Sequence, residues 1–187
     1  MRLGASLIAA MLLLTSPVAG DVTASSEAGF VSRNTAQVAA PPESVWNALI
    51  VPSGWWNGQH TYSGDAANLS LVPEAGGCFC EKIPGAARGG AVRQSGSIEH
   101  MRVIYADPAK VLRLTCGLGP LQSEAVNGTL TITLKPVDGG TQVVFEYLVG
   151  GYMRHKPGEI GPLVDKVLGE QLDRLAAELG RAGRPPR

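Results

Sequence analysis

Cysteine is scarce, with three residues in a chain of 187. That excludes a disulfide-knit scaffold, and the odd count leaves at least one thiol unpaired. Neither sign of charge is in surplus: sixteen Lys and Arg stand against sixteen Asp and Glu. This removes the electrostatic footing of a nucleic-acid binder or of a protein held to anionic membranes. No G-x-G-x-x-G follows a strand-like segment and no G-x-S-x-G elbow occurs, so a dinucleotide site and a serine-hydrolase nucleophile are not indicated. The apolar run from Leu3 to Leu14 is shorter than the ~18 residues of a spanning helix.

What is present reads as one globular domain. The hydrophobic fraction is 44% and the charged fraction 17%, enough to build a single core but not two. Glycine (24) and proline (13) together favour many turns between short strands. At the N-terminus, Arg2 precedes the apolar run, and Thr15-Ser16-Pro17-Val18-Ala19-Gly20 closes it with a breaker and small residues. This is the layout of a secretory signal peptide over residues 1–20, cut after Gly20 or after Ala24. With no cysteine before Cys78, a lipid-modified N-terminus is not expected. The mature protein is expected to be periplasmic or secreted, with no stable membrane insertion. Residues 21–29 read as a flexible lead-in, 30–180 as the domain and 181–187 as a tail.

Phe30 to Ala40 alternates like a strand, and Pro41-Pro42-Glu43 stops it and opens a short helix with Pro42 at its first position. Val45, Trp46 and Leu49 share one face of that helix. Pro52-Ser53-Gly54 breaks it before Trp55-Trp56. Strand-sized pieces follow at 68–72, 78–83, 97–105 and 111–116. Thr129 to Val137 sets Leu130, Ile132 and Leu134 on one face and three threonines on the other, the period of a half-wet sheet. Asp138-Gly139-Gly140 signals a hairpin into 141–148. Gly150-Gly151 reads as a flexible link. Pro162 is expected to open a long helix with Leu163, Val164, Val167, Leu168, Leu172, Leu175, Ala176 and Leu179 on one stripe, and Glu170 and Arg174 as an outer i,i+4 pair.

This order, with "PPESVWNAL", the Trp55-Trp56 pair, "GGCFCE" from Gly76 to Glu81, "SGDAANLSL" and the apolar terminal helix, resembles the START-like superfamily. Within it, the chain is most similar to the polyketide-cyclase-like and chaperone-ATPase-activator-like branch, in a secreted subgroup. The resemblance runs from Phe30 to Gly180. It implies an α+β helix-grip fold: a curved antiparallel sheet of about seven strands wrapped round the C-terminal helix, with two short helices after the first strand and an apolar cavity between sheet and helix. It supplies no fixed catalytic motif.

The residues expected to meet a ligand follow from that cavity. Trp55, Trp56 and His60 would stand at its mouth; Leu168 and Leu172 would come from the helix. Met101, Phe145 and Tyr147 would come from strands, the last offering a hydroxyl. Cys78 and Cys80 share a strand face, and Cys116 ends another strand. All three read as cavity or core lining, with a disulfide to Cys116 or a metal pair as alternatives. A Cys78–Cys80 bond is not expected, because alternate Cα atoms of an extended strand lie near the ~7 Å limit. Glu81 is expected at the sheet rim. Alternation sets Glu99 and Met101 on one face and His100 and Arg102 on the other, with Arg113 as a partner for Glu99. No cofactor and no metal is expected. The reading is a binding protein for a small hydrophobic molecule whose pocket holds only aliphatic, aromatic and thiol groups. The alternative is a cyclase or dehydratase acting on a polyketide-like or aromatic substrate through His60, His100, Glu99 and Tyr147.

Overall fold

The computed structural model describes residues 19–85, 87–88, 91–92 and 94–182. The chain opens with two antiparallel strands, β1 (Ala19–Ser26) and β2 (Gly29–Val38). The short helix α1 (Pro42–Leu49) follows, with Pro41 at its N-cap and Pro42 inside its first turn. Three 3-10 turns (52–54, 58–60 and 66–68) lead to β3 (Leu69–Leu71) and β4 (Cys78–Ile83). A small ribbon, β5 (Ala87–Arg88) and β6 (Ala91–Val92), precedes β7 (Gly96–Asp107) and β8 (Val111–Thr115). A 3-10 turn at 119–123, β9 (Ala125–Val137), β10 (Gly140–Tyr152) and α2 (Pro157–Ala182) complete the chain. One antiparallel sheet of eight strands results, in the order β1-β2-β10-β9-β8-β7-β4-β3, one strand more than expected.

Three elements correct the sequence reading. Residues 21–26 are not a loose lead-in: they ladder against β2 from Ala19↔Thr35 to Ser26↔Gly29, which satisfies their backbone groups. Gly150-Gly151 is not a free link, because β10 runs on to Tyr152 and pairs these glycines with Asn127 and Val126. Pro162 does not open α2. The helix starts at Pro157, and the Lys156 carbonyl accepts the Glu159 and Ile160 N–H groups. This extends the stripe back to Ile160, while Pro162 forfeits one interior hydrogen bond. Of the leader expected over 1–20, residues 1–18 lie outside the described residues, as do residues 183–187 of the tail expected over 181–187; α2 runs into that tail as far as Ala182.

The concave face of the sheet and the stripe of α2 bury each other. Leu130, Ile132 and Leu134 point inward from β9 as their alternation requires, into the same core in which Leu168, Leu172 and Leu175 of α2 are almost wholly buried. Burial of each such leucine contributes about 1.5–3 kcal/mol. The helix leans to one side. Its neighbours in the sheet are chiefly β2 and β1, and it approaches them through two glycines. A Cβ on Gly161 would stand 3.1 Å from the Phe30 ring, and one on Gly169 would stand 2.7 Å from the Asn34 side-chain oxygen. Asp165 reinforces this seam by accepting from the Ser32 hydroxyl at 2.6 Å and from Asn34 at 3.0 Å. The opposite side, over β7 and β4, is left for the 3-10 segments to cover.

Tyr147 belongs to this packed centre rather than to a cavity. Its ring is fully buried. Its hydroxyl accepts the Leu118 N–H at 2.9 Å and donates to the Cys116 carbonyl at 3.0 Å. Burial pushes this hydroxyl well above the ordinary phenol range. It therefore anchors the turn between β8 and β9. Replacing it in Tyr147→Phe strands the Leu118 N–H. Urea unfolding is expected to show a loss of about 1–3 kcal/mol with an unchanged denaturant slope; an unchanged midpoint contradicts this role.

Candidate functional site

The segment after α1 is clasped by polar side chains of α2. Trp55 and Trp56 are buried, and their indole N–H groups donate to the Ala48 and His60 carbonyls, each at 3.1 Å. Gln171, itself fully buried, accepts the Asn57 N–H at 2.8 Å, and Arg174 donates to the Trp55 carbonyl at 2.7 Å. Glu170 accepts from the Asn57 side chain and meets His60 Nε2 at 3.2 Å. The Asn57 hydrogen bond, with His60 and Arg174 beside it, holds this carboxyl below the usual range despite some burial. Glu170 and Arg174 thus bind the loop, correcting the outer i,i+4 pair expected of them.

Between this loop, the 118–120 turn and the first half of α2 lies a cavity of about 450 Å³, within the span of small-molecule sites. Leu118, Ile160, Val164, Val167 and Leu168 make most of its wall, with Trp56 beside them. Tyr62 and Leu163, more than half exposed, stand at its rim. The Tyr62 hydroxyl donates to the Gly119 carbonyl at 3.2 Å, bridging the two loops. Two histidines, His60 and His100, also line it. The pocket is therefore not confined to aliphatic, aromatic and thiol groups.

His100 reaches the cavity because β7 carries a bulge. Phe79 pairs with Met101 and Cys80 pairs with Glu99, so His100 is the extra residue. A bulge breaks the two-residue alternation. His100 and Met101 are consequently both buried, 5% and 0% exposed. Glu99 and Arg102, expected on opposite faces, meet outside at 2.6 Å, and Arg113 bonds Thr131 instead of Glu99. Behind His100 sits Glu81, 1% exposed rather than at the rim. Its carboxylate accepts the Tyr62 N–H at 3.0 Å, the Ser63 N–H, and His100 Nε2 at 2.8 Å. Burial pushes this carboxyl up, but the bonds from Ser63, Tyr62 and His100 outweigh it and leave it below its ordinary range. An ionised carboxylate only accepts, so Nε2 carries the proton. The imidazole lies between the Phe79 and Tyr62 rings, with centroids at 5.1 and 5.9 Å.

Of the residues expected to meet a ligand, Trp56, His60 and Leu168 line the cavity. Trp55 and Phe145 instead border a void of about 30 Å³ in the core, room for little more than one water. Met101, Tyr147 and Leu172 are sealed in packing at 0% exposure. Cys78 and Cys80 point outward, because Phe79 and Glu81 take the inner face of β4. They form a disulfide with Cα atoms 5.3 Å apart, and Cys116 is free and half-buried. β4 is not fully extended opposite the bulge, and this brings the pair inside the range a disulfide spans. Among the described residues, no three His, Cys, Asp or Glu side chains gather as a metal site.

Alkylation under denaturing conditions without reductant is expected to label Cys116 alone, and all three cysteines after reduction. Cys78 and Cys80 should appear in one unreduced peptide lighter by two hydrogens. A peptide crosslinked to Cys116 contradicts the pairing.

A family model described as polyketide cyclase / dehydrase and lipid transport matches residues 30–180. No curated protein matches the chain. Solved structures share the architecture at low identity. Protein MLL2253 from Mesorhizobium loti is 20% identical, with 82% of this chain and 99% of that one covered, at a TM-score of 0.55. The protein of unknown function SA2116 from Staphylococcus aureus is 17% identical, with 81% and 94% covered, at 0.56. Ara h 8.0201 is 13% identical, with 81% and 97% covered, at 0.54. Each shares the open sheet closed by a long terminal helix, and the matched span runs from β2 to the last turns of α2. The chain belongs to the polyketide cyclase / dehydrase and lipid transport family and has its helix-grip fold.

Proposed function

We propose that the protein binds a small, mainly apolar molecule in the cavity beside His100. The observation that carries this reading is the cavity itself: about 450 Å³, walled by Leu118, Val164, Val167 and Leu168 and flanked by Trp56. Displacing water from such walls favours any apolar guest that fits. The family description, which includes lipid transport, points the same way. A second reading, a cyclase- or dehydratase-type enzyme, draws on one observation: two histidines on the wall, one backed by the buried Glu81. We place the protein outside the cytoplasm, in a periplasm or secreted. The apolar leader pattern and the Cys78–Cys80 disulfide support this, since disulfides persist in oxidising compartments. Pairing of β1 from Ala19 onward favours a cut after Gly20, because a cut after Ala24 would strip most of that ladder.

Titration with 8-anilinonaphthalene-1-sulfonate is expected to give saturable fluorescence enhancement at one site, with a change in tryptophan emission through Trp56. Val167→Trp fills the half-buried wall and should weaken binding at least about tenfold, or about 1.4 kcal/mol, without lowering the unfolding midpoint. Absence of saturable binding by this dye and by a panel of naphthalene and fatty-acid probes contradicts the reading.

A further inference from the structure

We propose that the Cys78–Cys80 disulfide is a reversible exchange site for a dithiol reductant, and that its state sets the wall of the cavity on the opposite face of the sheet. The inference rests on the binding reading and adds a regulator to it. Two strand lengths match at this point. The disulfide spans Cα atoms 5.3 Å apart, whereas two residues of a regular strand advance about 6.6–6.8 Å. The neighbouring strand β7 bulges at the same place: Phe79 and Cys80 are consecutive, but their partners Met101 and Glu99 are not. The contracted strand thus faces a strand with one residue to spare, and that residue is His100.

The residue under the bridge touches the cavity wall. Phe79 is buried between the two cysteines. Its ring meets Trp56 at 5.3 Å and His100 at 5.1 Å between centroids, and both of these line the cavity. Glu81, next after Cys80, bonds His100 at 2.8 Å and accepts the Tyr62 N–H at the rim. A change in the length of β4 at 78–80 therefore reaches the wall through Phe79 and Glu81. The sulfurs themselves are on the outer face, on half-buried residues. On its free side β4 is covered only by the three residues of the edge strand β3. The bond joins residues two apart, and so short a loop removes little freedom from the unfolded chain. It is a weak staple, and reduction leaves the fold standing.

In the exchange, a thiolate of the dithiol attacks one sulfur, the S–S bond breaks, and the other cysteine leaves as a thiolate that takes a proton. The second thiol of the reductant gives up its proton and displaces the first cysteine from the mixed disulfide. Two electrons pass to the protein, which ends as a dithiol, and the reductant ends as a disulfide. Without the bridge β4 extends, the bulge loses its match, and the wall at Phe79 and His100 moves.

The test uses dithiothreitol on the folded protein. Alkylation without denaturant after this treatment is expected to label Cys78 and Cys80, with far-ultraviolet circular dichroism unchanged. The anilinonaphthalene dye is expected to bind the reduced protein at least about fivefold more weakly than the oxidised protein. The double variant Cys78→Ala, Cys80→Ala should bind as the reduced protein does and ignore reductant, whereas Cys116→Ala should respond as the unaltered chain does. Linkage supplies a second readout. In glutathione buffers, saturating dye should raise the ratio of squared glutathione to glutathione disulfide at half-reduction by the same factor. Equal dye affinity in the two states overturns the proposal and leaves the binding reading standing. A disulfide that dithiothreitol does not open in the folded protein also overturns it. So does a reduced protein that loses its native circular dichroism, since the bond is then a staple. Absence of saturable binding in both states removes both readings.

Discussion

A carboxylate taken out of water must find donors on every side, and Glu81 is the clearest case in this fold. Its burial costs several kcal/mol by the usual scale for an ion leaving water, about 3–5 kcal/mol of which reappears if one partner is removed. Two of its donors are backbone N–H groups at Tyr62 and Ser63; the third is His100. One side chain thus ties the loop over the cavity to the sheet beneath it and sets the direction of the imidazole. The bulge in β7 is the matching device on the strand side, for without the extra residue His100 would face solvent beside Arg102.

The cavity follows from an imbalance in how the helix meets the sheet. Gly161 and Gly169 let α2 press onto β2, and Asp165 holds Ser32 and Asn34 there. A straight helix that is tight at one edge of a curved sheet stands away from the other. The loop bearing Trp56 and His60 spans that gap instead, gripped from α2 by Glu170, Gln171 and Arg174. Loops cover a space with fewer apolar side chains than a helix does, and a hollow remains at the His100 end. The centre of the sheet, around Phe145 and Tyr147, is filled but for the void of about 30 Å³ beside Phe145.

Regular elements were legible in the sequence because their signals are local. The leucines of β9, the Asp138-Gly139 turn and the proline start of α1 each carry a periodicity or a turn chemistry that acts within a few residues. The site was legible only in part. His60 and Trp56, expected at the cavity mouth from the tryptophan pair, are among its lining residues. Alternation separates His100 from Met101, whereas the bulge buries both, and a bulge leaves no dependable mark in a single sequence. Glu81 reads as a rim residue when the thiols take the inner face of β4, but Phe79 takes it. With Phe79 inside, Glu81 follows two residues on. β1 was missed because small polar residues carry little strand preference of their own; the ladder with β2 decides their state.

The buried pair itself is open to direct observation. In protein carrying ¹⁵N-labelled histidine, long-range proton–nitrogen correlation spectra at neutral pH report which ring nitrogen of His100 bears the proton. The proton is expected on Nε2, where Glu81 accepts it, and the ring resonances of His100 are expected to shift when 2-naphthol enters the cavity. A bare Nε2, or a His100 ring that averages between tautomers as in free imidazole, would contradict it.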